Sequence, residues 1–135
     1  MIDVSRALVD ALRADVVLAD MLGTFRDHPA VFASEPVPEG TGVPFVVTVG
    51  VSDETFDVKT PYTRDIEHEV SVYDDETASI VAVENIAEHL RERFRSTFPV
   101  TDWTMPVIDA SGPVPNDVDG YHSRLLTVRV LLERD

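Results

Sequence analysis

Between Arg64 and Phe98 the hydrophobic positions along the chain change period. Ile66, His68, Val70 and Val72 alternate with Asp65, Glu67, Glu69 and Ser71, the two-residue repeat of a strand with one buried and one wet face. After Asp74, Asp75 and Glu76 the apolar residues recur as Val83, Ile86, Ala87, Leu90 and Phe94, a single helical stripe. The spacing predicts a strand feeding a helix that runs to about Phe98, where Pro99 forbids continuation. The three acids at the junction are read as charges opening that helix at the favourable end of its dipole, in preference to ligands for a hard cation.

The same patterning organises the rest of the chain. From Asp3 to Leu22, Val4, Ala7, Leu8, Ala11 and Leu12 form a helical stripe, with Asp3 or Ser5 available as its cap. Asp15 is placed to cap a second short turn through Val16, Leu18, Met21 and Leu22, and Gly23 to end it. Prolines and glycines crowd Thr24 to Pro44 and predict an irregular connection. Phe45 to Val51 is β-branched and continuous, as in a well-buried strand. Ser52 to Thr63 is polar and reads as a hairpin tip or extended arm. Asp102 to Ile108 offers a broken strand with Trp103 and Met105 on one side, and Ser111 to Asn116 reads as a loop. Asp119-Gly120 signals a tight turn. Behind it Leu126, Val128, Val130 and Leu132 alternate with Leu125, Thr127, Arg129 and Leu131 in a long, central strand. The expected fold is therefore α+β: a single domain over residues 1–135, with a mainly antiparallel sheet of four or more strands and an N-terminal and a long central helix packed on it.

Composition changes this picture in one respect. At 135 residues the chain suits one core, and its 44% apolar and 27% charged residues are ordinary. Its charge is not: 25 Asp and Glu stand against 11 Lys and Arg, for a formal charge of −14, and Lys59 is the sole lysine. Such a surface repels phosphates, which argues against sequence-specific nucleic-acid binding, and it resembles the acidic, lysine-poor surfaces of salt-loving archaea. No apolar run approaches the length of a membrane span, no export signal is visible, and without cysteine the fold must be held by packing alone. A soluble protein is expected.

Candidate chemistry is sparse. His28, His68, His89 and His122 show no paired ligand spacing. His68 lies on the apolar side of its strand and reads as a hydrogen-bonded core imidazole, while His89 falls on the wet side of its helix and needs no role. Asn116, Asp117, Asp119 and Gly120 resemble a calcium loop only until Pro115 and Leu126 occupy the positions that require ligands. Gly40-Thr41-Gly42 follows a loop and lacks the third glycine of a dinucleotide cradle. Ser71, Ser111 and Ser123 lack the flanking glycines of a nucleophile elbow. Glu84, Glu88 and Glu92 read as a solvated helix face, partly balanced by Arg91 and Arg95. No catalytic residue, metal or cofactor is expected, and the chain is read as not an enzyme.

Several of these segments occur in a familiar order. A helix with an Asp15-initiated second turn precedes Val43-Pro44-Phe45-Val46-Val47. His68-Glu69-Val70-Ser71-Val72-Tyr73 then runs into the long helix, and Asp117-Val118-Asp119-Gly120-Tyr121-His122-Ser123-Arg124 introduces the last strand. Together these resemble the tail-completion, or tail-terminator, proteins of long-tailed phages and archaeal tailed viruses. The resemblance implies a virion structural protein at the head-tail junction, assembled in the host cytoplasm. It further implies a homo-oligomeric, typically hexameric ring that caps the tail tube and joins it to the neck connector, with DNA passing through the lumen. It carries over no catalytic residue. The strong acidity departs from a typical bacterial-virus member and fits a haloarchaeal host. Phe32, Phe56, Lys59 and Tyr62 are the candidate partner contacts. Two alternatives stand beside this reading: another neck component, such as a head-completion adaptor or minor tail protein, and, from a different class, a halophilic cytoplasmic enzyme subunit or ligand-binding domain.

Overall fold

A computed structural model of the chain describes residues 4–33, 37–57, 60–118 and 120–134, and the side chains of all but 54–57 and 60–62 among them. The N-terminal stripe forms two helices, α1 (Val4–Arg13) and α2 (Val16–Met21), because Asp15 stops the first and caps the second: its Oδ1 accepts the Leu18 N–H at 3.1 Å. Gly23 does not end α2 in a left-handed turn. It is needed because Gly42 crosses it so closely that a Cβ on Gly23 would sit 2.4 Å from the Gly42 carbonyl carbon.

The breaker-rich connection is more regular than its composition predicts. It holds a small hairpin, β1 (Thr24–Phe25) with β2 (His28–Pro29), turned by Arg26 and Asp27 at φ 50° and 65°. A two-residue strand follows, β3 (Val31–Phe32), which joins the main sheet in parallel against Val46 and Val47. Strands this short leave no periodicity to read.

The main sheet is completed by β4 (Phe45–Asp57), β5 (Thr60–Asp75), β6 (Thr104–Pro115) and β7 (Tyr121–Glu133), in spatial order β3-β4-β5-β7-β6. All pairings but the first are antiparallel. β4 extends six residues beyond the expected Val51 into an arm it forms with β5. β6 runs straight through the segment expected to be a loop. Gly112, at φ 100°, and Pro113 sit within a register shift between Ser111 and Val114, and an edge strand accommodates both residues at a bulge. β7 is internal, paired on both sides, as its double alternation predicts.

The long helix, α3 (Ile80–Arg93), begins later and ends earlier than expected. Ser79 caps it, and Asp74, Asp75 and Glu76 belong to the strand end and the turn before it. Asp74 is buried and accepts the Asp75 N–H at 2.8 Å, while Asp75 accepts both the N–H and the hydroxyl of Thr77. These acids tie the turn instead of opening the helix.

The helices roof one face of the sheet. Val4, Leu8 and Leu12 of α1 and Val83, Ile86, Ala87 and Leu90 of α3 pack with Ile66, Val70, Val72, Leu126, Val128, Val130 and Leu132 in one apolar cluster. Trp103 and Met105 support its edge from the same side, as the alternation predicts. On the opposite face a smaller cluster of Ala30, Phe45 and Val47 is covered by Phe32, Val37 and Tyr73.

Candidate functional site

Two polar contacts pin the helical layer. His68, 5% exposed, brings its Nε2 to 2.8 Å from the Ser5 Oγ and so fastens β5 to α1. Burial lowers its pKa, and the nearby Asp53 charge opposes that shift only in part. The expectation of a hydrogen-bonded core imidazole is met. His89 has a role the sequence did not reveal: its Nε2 lies 2.7 Å from the Asp15 Oδ2 and ties α3 to the cap of α2. For Asp15, burial acts to raise the pKa, but the hydrogen bonds from His89 and from the Leu18 backbone, with the His89 charge, outweigh it and hold the carboxyl below its usual range. Helical position marks His89 as outward-facing. Only the placement of α2 supplies its partner.

The uncovered face of the sheet is the larger feature. Strand register places Asp65, Glu67 and Glu69 of β5 beside Leu131, Arg129 and Thr127 of β7, and Val107, Asp109 and Ser111 of β6 beyond those. Arg129 forms a two-pronged pair with Asp65, its Nε donating at 2.8 Å to Oδ1 and its Nη2 to Oδ2. The Arg129 hydrogen bond, against a smaller opposing effect of burial, lowers the Asp65 pKa. Glu67, Glu69 and Asp109 complete an acidic field with Arg129 as its one base among the described residues of these rows.

An open cleft of about 970 Å³ lies on the other side, between α1, the end of α3 and residues 99–103. Charges of both signs line it, including Arg6, Asp10, Arg93 and Asp102, and Arg134 stands 4.9 Å from the centre of the Trp103 ring. Arg124 bridges Glu84 of α3 and Asp117 of the turn before β7 at 3.3 and 3.4 Å, so one member of the glutamate stripe is anchored to the sheet. Among the described residues no cluster of three or more His, Asp or Glu is arranged to hold a metal ion. No helix there is long and apolar enough to cross a membrane.

The four candidate contact residues are not brought to one place by what is described. Phe32, on β3, is half-buried, edge-on to Phe25 at 5.9 Å between ring centres. Phe56 and Tyr62 lie on the β4–β5 arm by backbone position, their side chains outside the described set, and Lys59 lies outside the described residues. A feature the sequence reading missed stands at the other end of the sheet. There Phe45, Tyr73 and Tyr121 form a triangle with ring centres 5.2, 5.5 and 6.0 Å apart. The register pairing Phe45 with Tyr73 brings two of them together, a long-range fact that no local pattern encodes.

No family model matches the chain, and no curated protein matches it either. Among solved structures it is similar to a chain of the "Virion of native gene transfer agent (GTA) particle", with a TM-score of 0.68 at 19% sequence identity, over 96% of this chain and 93% of that one. At that identity the likeness is one of fold.

Proposed function

We propose that this chain is a structural protein of a tailed, phage-like virion, and specifically the terminator that closes the tail tube as a ring, typically of six copies, and joins it to the neck connector. The observation that carries the proposal is the end-to-end likeness of its fold to a chain of a gene transfer agent virion. The order of sequence segments that resembles tail-completion proteins supports the narrower role. The uncovered, acidic sheet face suits a lumen through which DNA must pass without being held, since like charge repels phosphate. Phe32, Phe56, Lys59 and Tyr62 are assigned to subunit and partner contacts, and the whole chain works as one domain. In a ring these acidic surfaces repel one another. Closure then needs apolar contact area and high salt, which fits a haloarchaeal host.

Electron cryomicroscopy of virions tests the proposal by locating the chain, with light scattering in molar salt as a check on ring formation. A ring between the portal and the tube is the expected result. A place elsewhere in the neck would favour a head-completion adaptor or minor tail protein. Absence from virions, or turnover of a small substrate, would overturn the structural role.

A further inference from the structure

The two edges of the main sheet are built differently. β6 is guarded: Pro106, Pro113 and Pro115 lack backbone donors, and register shifts interrupt the strand between Thr104 and Val107 and between Ser111 and Val114. β4 is not. β3 pairs with its outer side only at Val46 and Val47, and from Thr48 to Asp57 no described strand pairs there. About half the residues of that stretch therefore turn backbone N–H and C=O groups outward with no strand to meet them. The stretch contains no proline, and Val49 and Val51 are 42% and 49% exposed along it.

A pocket of about 270 Å³ opens beside this edge. Val4 and Ile66 give it apolar walls, Ser5 and His68 already bond each other, and Asp53 supplies a carboxylate. Gly50, lacking a side chain, and the register shift between Gly50 and Ser52 leave the space open at the strand itself. Asp53 and Arg64 form a loose ion pair, Nε to Oδ1 at 4.0 Å and too long for a hydrogen bond, so an incoming cation competes only with a weak, partly exposed pair. The sequence from Thr48 to Asp57 carries Asp53, Glu54 and Asp57 and no base.

We infer that the outer edge of β4 from Thr48 to Asp57 accepts an extended, basic segment of another protein as an added strand, with one lysine or arginine side chain lying in the pocket beside Gly50. Main-chain hydrogen bonds would supply the attachment, and the acidic edge with its pocket would supply the selection. The apolar walls suit the aliphatic stem of such a side chain and Asp53 suits its charged end. A second copy of this chain fits worse. β4 against β4 sets acids against acids, and β4 against β6 meets the proline-guarded edge. The inference rests on the geometry and charge of the edge and stands apart from the head-tail reading.

The test uses the full chain at the lowest salt at which circular dichroism shows it folded. The probes are two synthetic peptides of about ten residues, one alternating valine with lysine and one alternating valine with glutamate. The lysine peptide is expected to bind one-to-one and slow amide exchange within residues 48–57, with the glutamate peptide at least about tenfold weaker. Asp53→Lys, at a surface position, should weaken the lysine peptide by about tenfold while leaving the spectrum unchanged. Val51→Pro should abolish the exchange protection; if it fails to fold, Asp53→Lys carries the test. Equal binding of both peptides, or protection on β6 instead, would overturn the inference. So would protection of residues 48–57 that appears without peptide as protein concentration rises, since a second copy would then be the occupant.

Discussion

The two faces of one sheet are made by alternate residues of the same strands, yet they do opposite work. On the roofed face Ile66, Val70, Val128 and Val130 are buried against α1 and α3. On the open face their immediate neighbours Glu67, Glu69, Thr127 and Arg129 meet solvent or one another. The difference teaches where change is tolerated. Removing apolar area from water drives folding at about 25 cal/mol per Å², so the roofed face holds the molecule together. The open face contributes little packing beyond its aromatic end and is free to be shaped by what it must attract or repel.

Leu90→Asp should separate the faces most sharply. Leu90 is fully buried in the stripe of α3, and a carboxylate there has no partner and no water. A loss of about 4 kcal/mol or more is expected, enough to abolish a cooperative denaturant transition. Glu69→Gln on the open face, and Glu88→Gln on the exposed side of α3, should each stay within about 0.5 kcal/mol. Comparable losses from the buried and the exposed changes would erase the distinction.

Asp15→Ala tests how firmly the roof is attached. It removes both the cap of α2 and the 2.7 Å contact with His89. A cap contributes about 1 kcal/mol and a charge-assisted hydrogen bond about as much again, so about 2 kcal/mol of destabilisation is expected in urea melts. The native Asp15 pKa lies below its ordinary value, so its contribution is complete above the unfolded-state pKa and disappears as acid takes the pH down through the native one. His89→Ala should remove part of the loss but leave the cap. Equal losses from the two variants would mean the cap contributes nothing.

The roofed face is also what the sequence made legible. Period-two alternation on β5 and β7 and the stripe on α3 each reflect one long element meeting one apolar layer, and every predicted buried position among Ile66, His68, Val70, Val72, Leu126, Val128, Val130 and Leu132 is buried. What escaped was decided by distant neighbours. His89 looks wet until α2 delivers Asp15. Gly112 and Pro113 look like loop residues until β7 lies alongside to stabilise a bulged edge. The acids before α3 look like caps because a turn tied by Asp74 and Asp75 has the same local composition as a helix start. The open edge of β4 was invisible for the same reason: an unpaired side of a strand is defined by what is not beside it in space.

His68 probes the seam between roof and sheet. Burial depresses its pKa, so between the native and the unfolded values the unfolded chain binds more protons, and stability rises with pH. The full contribution is present above the unfolded value of about 6.5 and is lost as pH falls through the native pKa. Thermal melts from neutral pH downward should show this fall before the carboxylates titrate. His68→Gln, which can still bond Ser5 but cannot charge, should flatten it. An unchanged slope in the variant would assign the pH dependence to other groups.

The smallest effect belongs to the open face and has the opposite sign. Glu69 faces Val49 on one side and Thr127 on the other, with no base beside it in the register, whereas Arg129 stands next to Glu67 and pairs with Asp65. Along β5, Glu67 and Glu69 are two residues apart, so their side chains leave the same face about 7 Å from each other. Two like charges at that distance repel by about 0.6 kcal/mol in water, and at molar salt, with a screening length of about 3 Å, by about a tenth of that. Glu69→Gln should therefore raise stability by up to about 0.5 kcal/mol in dilute buffer and leave it unchanged in molar salt, while the chain as a whole melts higher as salt increases. The same substitution scheme applied to a packing position has no reason to depend on salt. A loss of more than about 1 kcal/mol from Glu69→Gln at any salt would mean that this glutamate is part of a structural contact, and that the open face is not the unconstrained surface its exposure describes.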